Sequence, residues 1–308
     1  MGTPPFAADI LGELLKNGYN IISVFTQPDK KIGRKREISF SPVKKMALDN
    51  KIKVFQPDSL KDEEAAVNIR EINPDLIVVA AYGKILPQEI LEIPKFGCLN
   101  VHASLLPKFR GASPIQNAIL AGEKETGVTL MLMSEKMDDG DILKQKSIQI
   151  SDMDTTETLT KKLSCLGAKI LVENIPQWLS GEIKPEKQNE KSASYCHPIK
   201  RENGLVDWKK TAREIFNQWR AFQPWPEVYA VVKLKNDTRR IKLVEIEIDP
   251  AAPSGAKPGK VIEYNHKYAV QTGKGVVFLK KVQLEGKKAV SVAEFVNGHP
   301  SFVGSILQ

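Results

Sequence analysis

Residues 76–104 read LIVVAAYGKILPQEILEIPKFGCLNVHAS, and two runs inside this stretch decide the fold. Leu76 to Tyr82 is the longest apolar run of the chain, bounded by Asn73-Pro74 before it and Gly83 after it. A short apolar run between turn signals is strand-sized, and apolarity on both faces suits a central parallel strand covered by helices on each side. A second strand is predicted over 97–104. Working outward, helical and strand patterns alternate. Residues 7–17 predict a helix with Ile10, Leu11, Leu14 and Leu15 on one face and Gly18 as its stop. A strand is predicted over 20–26. Ser41 and Pro42 read as an N-cap and a first helical position, opening a helix over 41–51. A short strand at KVFQ, helices over 60–72 and 113–121, strands over 127–133 and 142–150, and a long helix over 155–179 follow. Such alternation predicts an α/β fold with a doubly wound, mostly parallel sheet.

The pattern changes after Gly181. Residues 182–200 are charged, polar and poor in apolar side chains, which reads as an exposed linker. One helix is predicted over 211–221. Beyond it stand about five short strands, separated by turn signals such as Pro253, Gly255, Pro258-Gly259 and Gly273. Short strands without helices between them predict a small OB-like β-barrel. The expected division is a first domain over 1–181, a linker over 182–200 and a barrel over 201–308. A doubly wound domain usually opens with a strand feeding its first helix, whereas this chain starts at the Gly2-Thr3-Pro4 turn. The first strand is therefore expected to be missing. Its neighbours' backbone groups would then be unpaired, at about 1–3 kcal/mol each where buried.

Composition narrows the function classes. Hydrophobic residues make up 42% and charged residues 27% of the 308, a globular balance that excludes a disordered chain, a collagen and a disulfide scaffold. No apolar run approaches the roughly 18 residues of a membrane helix, and no signal-peptide pattern opens the chain. Cys98, Cys165 and Cys196 are odd in number, scattered and not at metal-ligand spacing, so reduced thiols in a cytoplasmic setting are expected. The net charge of +8 is uneven: residues 1–200 hold 27 basic and 26 acidic side chains, and residues 201–308 hold 18 and 11. A basic C-terminal third on a neutral body suggests a polyanionic partner.

The sharpest chemical feature is Asn100-Val101-His102. In a strand, residues two apart share a face, so amide and imidazole project side by side. They stand at the C-terminal end of a predicted parallel strand, where open α/β sheets place ligands. An amide that donates to an oxyanion beside an imidazole that handles a proton suits acyl transfer. Alone, the pair also fits a hydrogen-bonded strand end. A rigid loop follows, from Ser104-Leu105-Leu106-Pro107 to Gln116, rich in proline, glycine and basic side chains. Further on, Met137-Asp138-Asp139-Gly140-Asp141 sets three carboxylates around a glycine turn. It lacks the ligand spacing and terminal glutamate of a calcium loop.

Together these segments resemble the formyltetrahydrofolate-dependent formyltransferases, over nearly the whole chain. The resemblance is carried by Gly2-Thr3-Pro4, Thr26-Gln27-Pro28-Asp29, Ser41-Pro42-Val43-Lys44, Asn100-Val101-His102, the SLLP loop, Arg110 to Gln116, Thr126-Gly127-Val128-Thr129 and Met137 to Leu143. Pro114-Ile115-Gln116 and Pro224-Trp225-Pro226 look like the branch that acts on methionyl-tRNA. The resemblance implies a catalytic trio of Asn100, His102 and Asp138, folate contact at Ser104, Leu105, Leu106 and Pro107, and no metal. The activity implied is transfer of a formyl group from 10-formyltetrahydrofolate to the methionyl amine of initiator methionyl-tRNA, by a monomer with no membrane contact. The basic run Lys30, Lys31, Arg34, Lys35 and Arg36 resembles the family's loop at the tRNA acceptor end. Lys233, Lys235, Arg239, Arg240, Lys280, Lys281, Lys287 and Lys288 of the barrel would hold the tRNA body. Two rivals remain: formylation of a small amine such as a sugar nucleotide or glycinamide ribonucleotide, and an inactive RNA-binding relative. His197, His266 and His299 read as surface or structural, and Trp219 and Trp225 as core rather than base-stacking residues.

Overall fold

The computed structural model describes residues 1–32, 37–234, 237–253 and 255–308. Arg34, Lys35, Arg36 and Lys235 lie outside the described residues, as does the side chain of Lys31. The chain divides into two compact units. The first comprises Met1–Ile115, Lys124–Ile150 and Thr158–Pro198, and the second Gln116–Glu123, Ser151–Glu157 and Ile199–Gln308.

The chain opens with α1 (Pro5–Lys16), which has proline in its first turn and buries Phe6, Ala7, Ile10, Leu11 and Leu14. Then come β1 (Ser23–Phe25), a hairpin of β2 (Lys30–Ile32) and β3 (Glu37–Ser39), and α2 (Pro42–Asp49). Ser41 caps α2 by accepting from the Lys44 amide at 3.0 Å, satisfying one of the orphan donors of the first turn. Next are β4 (Lys53–Phe55), α3 (Glu63–Ile72), β5 (Ile77–Val79), the short α4 (Gln88–Leu91) and β6 (Cys98–His102). They are followed by β7 (Arg110–Gly111), α5 (Pro114–Leu120), β8 (Glu125–Leu132), β9 (Ile142–Gln149), α6 (Thr156–Leu179) and β10 (Tyr195–Cys196). The expected alternation is present. The β2–β3 hairpin and α4 are additions, one hidden in a charged run and the other too short for a periodic pattern.

The main sheet has the order β5-β6-β8-β9, and β1 pairs in parallel with β4. β5 and β6 are parallel, with Val79 opposite Asn100, whereas β8 runs antiparallel to β6 and β9 antiparallel to β8. The smaller sheet is thus parallel, and the larger one is parallel between β5 and β6 and antiparallel at its other edge. β8 and β9 are joined without a crossover helix, so the chain must return antiparallel.

Between β1 and β5, among the described residues, lie Met1 and Gly2. The Gly2 amide donates to Phe25 O at 3.0 Å, the Ala80 amide donates to Met1 O at 2.9 Å, and the N-terminal amine donates to Val78 O at 2.6 Å. Beside them lies an apolar cavity of about 330 Å³, lined among others by Ile10, Leu14, Val24, Ile69, Ile77 and Ile175. Burial pushes the pKa of the Met1 amine down to about 5, because a charged group loses its hydration there.

The second unit is built from α7 (Ala212–Ala221), β11 (Tyr229–Leu234), β12 (Asp237–Asp249), β13 (Val261–Tyr264), β14 (Lys267–Gln271), β15 (Val276–Leu284), β16 (Ala289–Ser291) and α8 (Val292–Gly298). The sheet is antiparallel throughout, ordered β11-β12-β15-β14-β13 with β16 on β15. A register shift around Glu245 bends β12, which adds twist and curls the sheet. The C-terminal residues then tie its two edge strands together. Val231 on β11 exchanges hydrogen bonds with Gln308, and Val261 on β13 donates to Ser305 and accepts from Gly304. Leu307, between these anchors, is buried. Joining the edges removes the open ladders that a small sheet would otherwise expose. Trp219 packs as expected, stacked on Phe216 with its Nε1 donating to Leu243 O. Trp225 does not: it is 55% exposed. Its neighbours Pro224 and Pro226 place it in a turn after α7, where no periodic face draws it inward.

Two outcomes are expected. The Met1 amine binds a proton up to about pH 8 when unfolded but only below about pH 5 when folded. The unfolded state therefore carries more protons between these limits, and the 308-residue chain gains stability as pH rises from about 5 to 8, by at most about 4 kcal/mol. Urea unfolding at both ends of this window, compared with an N-terminally acetylated chain that lacks the titrating amine, reads this slope as the difference between the two proteins. Separately, Leu307→Ala should destabilise the second unit by about 2–4 kcal/mol, measured through the tryptophan fluorescence of Trp208, Trp219 and Trp225.

Candidate active site

Strand alternation puts Asn100 and His102 on one face of β6, and both are buried. Asp138 arrives from the loop between β8 and β9. Its carboxylate accepts from Asn100 Nδ2 at 3.2 Å through Oδ1 and from the Gly111 amide at 2.8 Å through Oδ2. His102 Nδ1 lies 3.6 Å from the same Oδ1. On the other side of the ring, Nε2 is 3.1 Å from Phe109 O. Both ring nitrogens thus face acceptor oxygens, Nε2 at hydrogen-bond distance and Nδ1 just beyond it. Residues separated by 38 positions in the chain, Asn100 and Asp138, are brought into one hydrogen bond.

The backbone conditions for this cluster are specific. Asp138 adopts a left-handed conformation, φ 53°, uncommon for a residue with a side chain and tolerated best by aspartate and asparagine. Gly111 has φ 118°, and a Cβ there would stand 2.2 Å from Cys196 O. Only glycine lets its amide reach the Asp138 carboxylate past that strand. The Cys196 thiol donates to Arg110 O at 3.3 Å, and burial pushes its pKa up, so it is an inert packing group.

The SLLP loop is held from beneath. Thr129, opposite His102 on β8, accepts from the Leu106 amide at 3.1 Å and donates to Ser104 O at 2.7 Å. Gln145 Nε2 donates to Leu106 O and to Thr129 Oγ1, both at 2.8 Å. Ser104 is fully buried and donates to Lys108 O at 2.6 Å. Its hydroxyl shapes the loop, leaving half-buried Leu105 and Pro107 as the accessible apolar side chains of the four.

A third segment closes the cluster. Arg110 is 1% exposed, yet all five of its N–H groups have acceptors. Nε and Nη2 donate to Gln188 Oε1 at 3.0 and 2.8 Å, Nη1 and Nη2 donate to the Glu190 carboxylate at 3.0 and 2.6 Å, and Nη1 donates to Tyr195 Oη at 3.2 Å. The hydrogen bonds from Arg110 hold Glu190 below the usual carboxylate range, and Glu190 in turn raises Arg110. These partners lie in the stretch read from sequence as linker. That stretch is largely exposed, but it pairs with β9 through Glu186 and Ile142 and with β7 through β10.

Of the residues picked from sequence, Asn100, His102 and Asp138 meet, and Ser104 to Pro107 lead directly out of the same strand. Lys30 is exposed at the start of β2, Lys31 follows it in the strand, and Arg34, Lys35 and Arg36 lie outside the described residues. In the second unit, Lys233, Arg239, Arg240, Lys281, Lys287 and Lys288 are exposed; Arg239 pairs with Asp237 and half-buried Lys280 with Glu247. Thr129, Gln145 and Gln188 were missed. Thr129 sits in a quoted motif, whereas Gln188 had no signal within its polar run. Among the described residues, no three His, Cys, Asp or Glu side chains are grouped to hold a metal ion, and no helix is long and apolar enough to cross a membrane.

Residues 1–175 match the formyl transferase family, and residues 198–300 match the formyl transferase C-terminal domain. The chain belongs to the formyl transferase family. It is 43% identical to the methionyl-tRNA formyltransferase of Caldanaerobacter subterraneus subsp. tengcongensis, across the whole of this chain and 98% of that protein. It is 45% identical to the methionyl-tRNA formyltransferase of Caldicellulosiruptor saccharolyticus, again across the whole of this chain and 98% of the relative. Among solved structures it is similar to WlaRD, a sugar 3N-formyl transferase crystallised in the presence of dTDP and 5-N-formyl-THF. The TM-score is 0.64 and the identity 25%, over 93% of this chain and 97% of that one.

The Thr129 hydroxyl serves three partners at once, so Thr129→Val should cost about 1–3 kcal/mol in urea unfolding, as buried groups lose their hydrogen bonds. Thr129→Ser, which keeps the hydroxyl, should restore most of it.

Proposed function

We propose that this protein transfers a formyl group from 10-formyltetrahydrofolate to the amino group of the methionyl moiety of initiator methionyl-tRNA. The observation that carries this reading is the convergence of Asn100, His102 and Asp138 at the end of β6, with Asp138 Oδ1 3.2 Å from the Asn100 amide and 3.6 Å from the His102 ring. The likeness to methionyl-tRNA formyltransferases over the full chain supports the acceptor.

The reaction is attack of the amine on a formyl carbonyl carried by the folate N10. A C–N bond forms, a tetrahedral oxyanion develops, and the C–N10 bond then breaks. Asn100 has a second amide N–H beyond the one given to Asp138, and it donates to the oxyanion. His102 carries the proton: as the imidazolium it stabilises the oxyanion, and as the neutral base it takes the proton of the attacking amine. That proton goes to the departing N10. Asp138 orients both partners through one oxygen. Folate lies against the loop from Ser104 to Pro107, where the Leu105 and Pro107 side chains and the tied backbone form a preset surface. The basic run from Lys30 to Arg36 and the exposed basic side chains of the second unit grip the RNA backbone, an attraction that weakens as salt rises. The setting is the translating compartment.

The test is formyl transfer from 10-formyltetrahydrofolate to initiator methionyl-tRNA, elongator methionyl-tRNA and a small amine in parallel. Transfer to the initiator alone is expected. Transfer to the small amine alone would overturn the acceptor. Asn100→Ala should lower kcat by about 10²–10³-fold and His102→Ala should abolish turnover with tRNA binding retained. Normal turnover in His102→Ala would sink the mechanism.

A further inference from the structure

We infer that Gln188 is a positioning residue for formyl transfer: it sets the left-handed turn that presents the Asp138 carboxylate to Asn100 and His102. The inference rests on the preceding assignment of that trio. Gln188 uses its whole amide inside the protein. Its Oε1 accepts from Arg110 Nε and Nη2, at 3.0 and 2.8 Å, and its Nε2 donates to the carbonyls of Asp138 and Gly140, at 2.9 and 2.8 Å. These two carbonyls flank Asp139 and belong to the turn in which Asp138 has φ 53°.

The bonds form a closed circuit. From the Asp138 carbonyl it runs through the Gln188 amide to the Arg110 guanidinium, along the backbone to Gly111, and through the Gly111 amide at 2.8 Å back to the Asp138 carboxylate. The two ends of one residue, its backbone carbonyl and its side-chain oxygen, are therefore held against the same two-residue strand. An aspartate in an uncommon backbone conformation stays there only when its surroundings over-determine it, and this circuit does so. The circuit is itself anchored. Glu186 exchanges backbone hydrogen bonds with Ile142 at 2.8 and 2.9 Å on one side of Gln188, and on the other the Arg110 amide donates to Ser194 O at 2.8 Å. An amide is the group the place requires, because one end must accept from a guanidinium and the other must donate to carbonyls.

Two roles are separable by chemistry. Gln188→Glu keeps an acceptor for Arg110 but has no N–H for the Asp138 and Gly140 carbonyls. Gln188→Ala removes both functions. Glu190→Ala removes an Arg110 partner and leaves the Asp138 turn untouched. With the 308-residue chain, 10-formyltetrahydrofolate and initiator methionyl-tRNA, kcat should fall about 10- to 100-fold in Gln188→Glu and Gln188→Ala alike. KM for both substrates should stay near those of the parent, and Glu190→Ala should keep kcat within about two-fold. If Gln188→Glu turns over like the parent while His102→Ala is inactive, Gln188 serves only Arg110 and the inference falls alone. If His102→Ala also turns over like the parent, the site assignment falls and the inference with it. A parallel loss of kcat in Glu190→Ala would mark a structural role for the whole segment and overturn the specific one.

Discussion

A guanidinium cut off from water must find an acceptor for every N–H it carries, and Arg110 organises the first unit around that requirement. An unpaired charge there would cost several kcal/mol. The acceptors come from Gln188, Glu190 and Tyr195, about 80 residues further on, so the late segment folds back over the early loop. Once it is there, its backbone pairs with β7, its Ser194 hydroxyl accepts from the Phe109 amide, and its Gln188 amide reaches the turn at Asp138. The candidate catalytic carboxylate is thus held in place by way of a buried charge whose own N–H groups are all used within the fold.

The same logic of shared anchors recurs below the SLLP loop. One hydroxyl, that of Thr129, connects Ser104, Leu106 and Gln145, and it sits on the strand residue directly opposite His102. A loop tied from beneath in this way is held in one conformation, and a preset surface is where rigid sites gain affinity. Rigidity is not uniform, however. At the β1–β5 position Gly2 hydrogen-bonds to β1 and Met1 to the β5 segment, an apolar cavity stands beside them, and the Met1 amine is buried there. The cavity forfeits packing contacts, and burial favours the uncharged form of the amine.

Much of the architecture was legible in the chain. Ser41-Pro42 marked the start of α2, the 76–82 run marked β5, and the uninterrupted strands after residue 227 marked the second unit. These signals are local: a cap, an apolar run or a turn residue acts within a few positions. The Ser291–Glu294 capping box of α8 was local too, but a seven-residue helix after a run of strands gives no periodic face to see. The antiparallel course of β8 was not legible, because strand direction depends on which edge the returning chain finds.

The site divides in the same way. Asn100 and His102 were placed on one face by strand alternation alone, and the glycine turn marked Asp138 as a candidate. The sequence by itself determined the candidate reactive groups, the change from alternating helices and strands to strands alone, and the basic C-terminal third, since each depends on residue type and near-neighbour spacing. Only the tertiary structure decided that Asp138 meets Asn100 and His102, that Arg110 is buried, and that Gln188, in a run that reads as linker, joins them. Those relations depend on which distant groups satisfy one another's hydrogen bonds once water is excluded. No local pattern carries that information, because each acceptor is chosen by the folded chain around it.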